Sequence, residues 1–252
     1  MRDKKSIRIY FLGLLMVLGL KLYADQAGSD ELLWILRPTA WWTGILSGHS
    51  FTYEQGMGYV NHSLRFIIAP ACAGLKFWMI AALMLSWSFL HRMKGGKGKL
   101  YWTLFSFLAA GLVTIFVNGI RITLSIVLPQ LLESTEHIMA HMSSGQLHTA
   151  IGTFVYFLSL LALYWAGNQF SQKIGLAETV QKEKFLWAKL LPILWYLGPV
   201  LGLPFLSRIA YKDYKNFTNY ELPVLAVCGS VFLFLILLLL GKKFLWQLKT
   251  AK

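Results

Sequence analysis

The sequence has little of what a water-soluble domain needs. Only 14% of its 252 residues are charged, and 11 Asp and Glu stand against 24 Lys and Arg. Soluble domains carry about 25% charged residues. This chain is instead 56% hydrophobic, with a mean hydropathy of +0.55. These values exclude a separate soluble domain and predict a single integral membrane domain over residues 1–252.

Cysteine is also scarce. Cys72 and Cys228 lie in different apolar segments, which excludes a disulfide framework and a cysteine-type metal cluster. A net charge of +13 is also typical of proteins that bind nucleic acid. The basic residues gather in loops, however, as membrane orientation and anionic lipid require, so we expect membrane lipid and no nucleic acid.

Several apolar runs approach the ~20 residues that a membrane helix needs. They predict an all-α polytopic membrane protein with about six transmembrane helices, the first retained rather than cleaved as a signal peptide. The predicted spans are about Ile7–Tyr23, Gly74–Leu90, Leu100–Leu128, Leu147–Ala166, Phe185–Leu206 and Pro223–Leu240.

Two further elements are predicted between the first and second spans. Residues 32–46 are rich in tryptophan and interrupted by Pro38, which indicates an interfacial or re-entrant piece. Residues 50–68 alternate in polarity around the turn-like stretch Glu54–Gly58. This pattern predicts a small extracytoplasmic hairpin before the second helix.

Charge sets the expected orientation. With six spans, the loops on the side of the termini hold 15 of the 24 Lys and Arg, and the opposite loops hold 8 of the 11 Asp and Glu. The positive-inside rule then makes both termini cytoplasmic.

Three reactive side chains fall at one depth in this topology. Cys72 opens the second helix from outside, Arg121 lies near the outer end of the third, and His148 opens the fourth. A thiolate is favoured by a helix N-terminus and a nearby cation. His148 is suited to take the thiol proton and return it to a leaving amine, and Arg121 to stabilise an oxyanion.

Each residue also has a plainer interpretation. Cys72 alone would be a packing residue, as we expect for Cys228, and Arg121 or His148 alone an interfacial anchor or cap. Asn118, one turn before Arg121, is suited to bonding between helices. A purely structural interpretation has to account for Cys72, Arg121 and His148 at the same depth. An arginine within the membrane is also costly without a partner.

A metal site is the less favoured alternative. His137 and His141 are spaced as i and i+4, with His148 seven residues further on. The His-Glu-x-x-His arrangement of zinc hydrolases is absent. We therefore expect no metal and no cofactor.

The motifs resemble those of the exosortase/archaeosortase membrane transpeptidases over about residues 50–163. The matching stretches are Cys72-Ala73-Gly74, Asn118-Gly119-Ile120-Arg121 and His148-Thr149-Ala150-Ile151-Gly152. Ala73 stands where these enzymes usually have serine. Tyr53-Glu54-Gln55-Gly56 and Tyr59 resemble a segment of the exosortase K subgroup.

The resemblance implies a sortase-like cysteine peptidase or transpeptidase in the bacterial cytoplasmic membrane. Its catalytic residues would be Cys72, Arg121 and His148, with Asn118 and Gly74 in support. Its substrates would be exported proteins with a C-terminal sorting signal, cleaved through a thioester at the outer membrane face and passed to an unidentified acceptor nucleophile. The alternatives are a non-catalytic transporter or assembly protein and a metal-dependent membrane hydrolase.

Overall fold

The computed structural model describes residues 4–132, 144–174, 194–202, 221, 223–231 and 233. Most of these residues are helical. The five long helices are α1 (Lys4–Gln26), α2 (Leu33–Ser47), α3 (Leu75–Phe89), α4 (Gly95–Leu132) and α5 (Ser144–Ile174). The short stretches 194–202 and 223–231 are also helical.

Four of the described helical segments are long and apolar enough to cross a membrane. They are Ser6–Gln26, Pro70–Arg92, Gly95–Leu131 and Gly145–Ile174. This confirms a helical membrane protein. The predicted fifth and sixth spans, Phe185–Leu206 and Pro223–Leu240, lie largely outside the described residues, so the count of six stays a prediction.

Helix α3 forms the centre of the described bundle. In its membrane segment 72% of the residues are buried, against 11% in the segment of α1, so α3 is surrounded and α1 is peripheral. Small residues allow close packing, as is usual between membrane helices. A Cβ added at Gly111 of α4 would lie 2.6 Å from the ring of Trp78. Trp78 Nε1 also donates to the Phe107 carbonyl at 2.8 Å, which fastens α3 to α4.

Pro38 was expected to break the segment 32–46, and this expectation is wrong. Pro38 lies inside a continuous helix that ends at the left-handed residue Gly48. One face of α2 is buried against α4, and Trp42 Nε1 donates to the Phe116 carbonyl at 3.1 Å. Packing of that face outweighs the one backbone bond that a proline removes.

Helix α4 is longer than predicted at both ends. It begins at Gly95 rather than near Leu100, and it continues through Pro129 to Leu132. Its 38 residues extend over about 57 Å at the usual helical rise. The glycines before Leu100 have low helix propensity, but local propensity does not decide where a packed helix starts.

A small antiparallel sheet fills the interval between α2 and α3, where the sequence predicts a hairpin. Its strands are β1 (Thr52–Glu54), β2 (Gly58–Asn61) and β3 (Phe66–Ile68), in the order β1-β2-β3. The central strand pairs Val60 with Thr52 on one side and with Ile67 on the other. Because β3 leads directly into the segment that carries Cys72, the sheet sets where that segment starts.

Asp30 ties the sheet to the loop before α2. Its carboxylate accepts hydrogen bonds from the Tyr53 hydroxyl and from the backbone N–H of Gly56 at 3.1 Å. The bond to Asp30 raises the pKa of Tyr53 to about 12. The same bond, and the one from Gly56, lower the pKa of Asp30 below its ordinary value. The contribution of Asp30 to stability is therefore present above pH 3.8 and is lost as the pH falls through its lowered pKa.

Arg92 joins α3 to α5 at the end of the bundle away from Cys72. Its buried guanidinium donates to Asn168 Oδ1 at 2.8 Å and to Ser171 Oγ at 2.7 Å. It also lies 4.9 Å from the centre of the Phe89 ring. These contacts fix the turn after α3 against the last turns of α5.

We expect Arg92→Ala to lower the free energy of unfolding by about 2–4 kcal/mol, because Asn168 and Ser171 lose their bonds to a buried charged donor. Thermal unfolding of the full chain in detergent measures the loss. Lys94→Ala removes an exposed positive charge two residues away and should change the stability by less than about 0.5 kcal/mol. Equal effects of the two variants would contradict this role of Arg92.

Candidate functional site

Cys72 lies in a separate turn that precedes α3. The chain leaves β3 at Ile68, and Pro70 then begins a 3-10 turn that ends at Cys72. Gly74 caps α3, whose first residue is Leu75. The expectation that Cys72 opens the helix is therefore wrong by three residues, because the positive φ of Gly74 separates the turn from the helix. Cys72 lies near the positive end of α3 but outside it.

The Cys72 thiol is half-buried and free. Neither Cys72 nor Cys228 is in a disulfide. The sulfur of Cys72 lies 4.0 Å from the carbonyl oxygen of Ile67, the middle residue of β3. The thiol is thus held beside the sheet that leads into its turn.

Asn118 connects the Cys72 turn to α5 through its side-chain amide. This fully buried residue of α4 donates from Nδ2 to the Cys72 carbonyl. Its Oδ1 accepts a hydrogen bond from the Tyr156 hydroxyl at 2.8 Å. Both ends of the amide are therefore used, and they join three segments at one point.

Gly74 lets the Cys72 turn approach α4. Its φ of +74° is a conformation that side-chain-bearing residues rarely adopt. A Cβ at this position would lie 3.0 Å from Thr114 Cγ2 and 3.1 Å from Asn118 Cγ. Ala73, between Cys72 and Gly74, is fully buried. Glycine is thus required here both by the backbone conformation and by the nearness of Asn118.

Arg121 is buried beside Asn118 with part of its guanidinium unpaired. Only 8% of the residue is exposed, and its guanidinium carbon lies 5.5 Å from the centre of the Tyr156 ring. Within the part of the chain that the structure describes, Nε and Nη2 have no hydrogen-bond partner. These two N–H groups form one edge of the guanidinium, the edge that binds a carboxylate or an oxyanion side-on.

His148 lies in the second turn of α5 and faces the same cluster. His148, Gly152 and Tyr156 are spaced by four residues, so they follow one face of the helix. Gly152 borders Arg121, since a Cβ there would lie 3.7 Å from Arg121 Cδ. Arg121 is also close enough to His148 to act on its charge. Among the described residues, the His148 residue is exposed.

Tyr156, which was not predicted from the sequence, links Asn118 to Arg121 through its hydroxyl and its ring. Among the described residues, no hydrogen bond joins Cys72, Arg121 and His148 to one another. Tyr156 lies within electrostatic range of both Cys72 and Arg121. The available signal was its position, two helical turns after His148 on an apolar helix. Cys228 is buried and makes no described contact with this site.

No metal centre is found among the residues that the structure describes. These residues contain no group of three His, Cys, Asp or Glu placed to hold an ion. His137 and His141, the two histidines of the zinc alternative, lie outside the described residues.

Comparison with known proteins points to one family. The model of the family described as Transmembrane exosortase (Exosortase_EpsH) matches residues 6–165. This region is more than half of the chain and contains Cys72, Arg121 and His148. The match confirms the resemblance at the level of the family, while the K subgroup stays a prediction. No curated protein and no solved structure matches the chain.

We expect Gly74→Ala to disrupt the site more than backbone strain alone explains. Gly48 has nearly the same φ, +72°, but a Cβ there would meet nothing within 4 Å. Gly48→Ala therefore serves as the control for strain. Gly74→Ala should lose a further ~1–3 kcal/mol of stability, because the new methyl group displaces Asn118 from its two hydrogen bonds. Thermal unfolding and the alkylation rate of Cys72 test this, and equal losses in the two variants would contradict it.

Proposed function

The chain belongs to the transmembrane exosortase family, and we propose that it is a sortase-like cysteine transpeptidase that cleaves C-terminal sorting signals of exported proteins. Members of this family are generally cysteine transpeptidases that act on exported proteins with sorting signals. In this proposal Cys72 is the nucleophile, His148 the acid and base, and Arg121 the group that stabilises the oxyanion.

The first half of the reaction transfers the substrate to the enzyme. His148 takes the proton of the Cys72 thiol, and the thiolate attacks the carbonyl carbon of the scissile peptide bond. A carbon–sulfur bond forms and the carbon–nitrogen bond breaks. His148 gives its proton to the departing amine, and the signal leaves with its transmembrane helix. The product on the enzyme is a thioester.

The second half releases the product. The amine of an acceptor, or water, loses a proton to His148 and attacks the thioester carbonyl. The new bond to nitrogen or oxygen forms as the carbon–sulfur bond breaks. Cys72 recovers a proton from His148, and the enzyme returns to its starting state.

The unpaired edge of Arg121 is the observation that carries this proposal. A buried charged group without partners is costly, and the cation–π contact with Tyr156 offsets only part of that cost. The tetrahedral intermediate carries a negative oxygen that Nε and Nη2 are suited to bind together. Asn118 supports the site by holding the Cys72 turn in place.

The location follows from charge and hydropathy. We place the chain in the cytoplasmic membrane of a bacterium as a single domain of about six transmembrane helices, with both termini cytoplasmic. The site then faces outward, where exported substrates arrive. The sheet lies on the same side. We propose the exosortase K subgroup because Tyr53-Glu54-Gln55-Gly56, in the first strand and turn, resembles a segment of that subgroup.

We expect Cys72→Ala to abolish processing, with a loss of about 10³-fold or more because the nucleophile is removed. Cells that carry only this variant should accumulate exported precursors that keep a C-terminal transmembrane helix and its basic end. Mass spectrometry of whole membrane fractions detects and quantifies these precursors whatever their sequence. Cys228→Ala is the matched control and should process normally.

Two outcomes would contradict the thiol mechanism. Normal processing by Cys72→Ala would exclude Cys72 as the nucleophile. Activity that survives thiol alkylation but is lost with a chelator would assign a metal-dependent hydrolase instead.

Arg121→Lys should lower the processing rate by about 10²-fold or more, although the positive charge remains. A lysine offers a point charge and lacks the two parallel N–H groups of Nε and Nη2. Arg37→Lys, at an exposed arginine of α2, is the control and should process normally. The precursor assay measures both, and a fully active Arg121→Lys enzyme would show that charge alone is needed.

A further inference from the structure

The outer edge of β3 presents backbone groups that do not pair with β2. Val60 turns its carbonyl toward β1, where it accepts a bond from Thr52 Oγ1 at 3.3 Å. The Ile68 carbonyl points toward β2, because a Cβ on Gly58 would lie 2.5 Å from its oxygen. Successive residues of a strand turn their N–H and C=O groups to opposite sides. Ile67 therefore directs both groups away from β2, to the free edge.

The nucleophile of the proposed reaction lies at this same edge. Cys72 Sγ is 4.0 Å from the Ile67 carbonyl oxygen. Neighbouring strands run about 4.8 Å apart, so the thiol lies where the backbone of a fourth strand would pass. Among the residues described by the structure, the thiol is the one group that hydrogen-bonds to this carbonyl, and none bonds to the Ile67 N–H.

We propose that the sorting signal binds as a fourth strand along the outer edge of β3. This inference rests on the proposed function and specifies how its substrate is held. The Ile67 N–H and C=O bond to the backbone of the extended substrate, a mode known as β-augmentation. A substrate N–H takes the place of the Cys72 thiol on the Ile67 carbonyl, which frees the sulfur beside the scissile bond.

Two features of the β3 edge favour an extended peptide as its ligand: the exposure of Ile67 and the nearness of Cys72. Ile67 is 39% exposed, so a peptide can reach this residue among the described residues. The edge leads within five residues to the candidate nucleophile, which a peptide substrate must reach and which pairing with a second copy would cover. Backbone pairing also tolerates many side chains and leaves specificity to alternate substrate positions.

Ile67→Pro tests the proposal on the enzyme. Proline removes the outward N–H of residue 67 and is tolerated at strand edges, and the β2 bonds of Phe66 and Ile68 remain. The substrate is a synthetic peptide that copies the cleavage region of a precursor accumulating with Cys72→Ala. We expect KM to rise about tenfold or more, since a buried hydrogen bond to the substrate is lost. Ile67→Ala keeps the N–H and measures the share of the loss due to the side chain.

N-methyl substitution of the same peptide tests the proposal without changing the enzyme. Each methyl group removes one substrate N–H. Because alternate residues of a bound strand face β3, sensitivity should recur at every second position around the scissile bond. This measurement applies even if Ile67→Pro fails to fold, which thermal unfolding would reveal.

The outcomes separate this proposal from the function on which it rests. A large KM effect of Ile67→Pro, greater than that of Ile67→Ala, or period-two sensitivity in the peptide supports edge binding. Uniform or absent sensitivity to N-methylation overturns edge binding while the thiol mechanism stands. Self-association that Ile67→Pro abolishes while processing continues would assign the edge to a second copy and overturn it as well. Normal processing by Cys72→Ala would overturn both proposals.

Discussion

The arrangement around Cys72 depends on one buried amide. Asn118 uses its N–H on the Cys72 carbonyl and its oxygen on the Tyr156 hydroxyl, so a single side chain of α4 sets the distance from the cysteine turn to α5. In a membrane interior an unsatisfied amide is costly, which gives this connection a strong preference for one geometry. Gly74 is the complement of that amide, because any larger residue would occupy the space that Asn118 needs.

The Asn118 amide is fully hydrogen-bonded, whereas the guanidinium of Arg121 is only partly paired among the described residues. Tyr156 is shared, since its hydroxyl bonds to Asn118 and its ring lies under the guanidinium of Arg121. Arg121 is thereby held in place while its Nε and Nη2 remain without a described partner. A cation that is fixed but incompletely satisfied is organised in advance for a charge that appears only during a reaction.

Much of this could be predicted from the sequence, and the failures have physical causes. The helical membrane class follows from the composition and the long apolar runs. The family follows from three short motifs in a fixed order along the chain. Pro38 was expected to interrupt its segment, and the third span was expected to stop before Pro129, but both prolines lie inside helices. Tyr156 was missed because its spacing from His148 puts it on the same helix face but does not show that Asn118 and Arg121 contact it. The catalytic roles of Cys72, Arg121 and His148 remain predictions, because the arrangement of side chains does not by itself measure reactivity.

The length of α4 has a consequence for the membrane around the protein. A helix of about 57 Å exceeds the ~30 Å of the bilayer's hydrocarbon, and Arg121 lies 26 residues, or about 39 Å, from its start at Gly95. If the lysines at the start of α4 lie at one membrane surface as proposed, the length of the helix places the Arg121 guanidinium near the opposite boundary between hydrocarbon and water. A thicker bilayer draws that charge into hydrocarbon, and a thinner one exposes it to water. Hydrophobic mismatch would thus tune the electrostatics of the site, and lipid composition would become a variable of its chemistry.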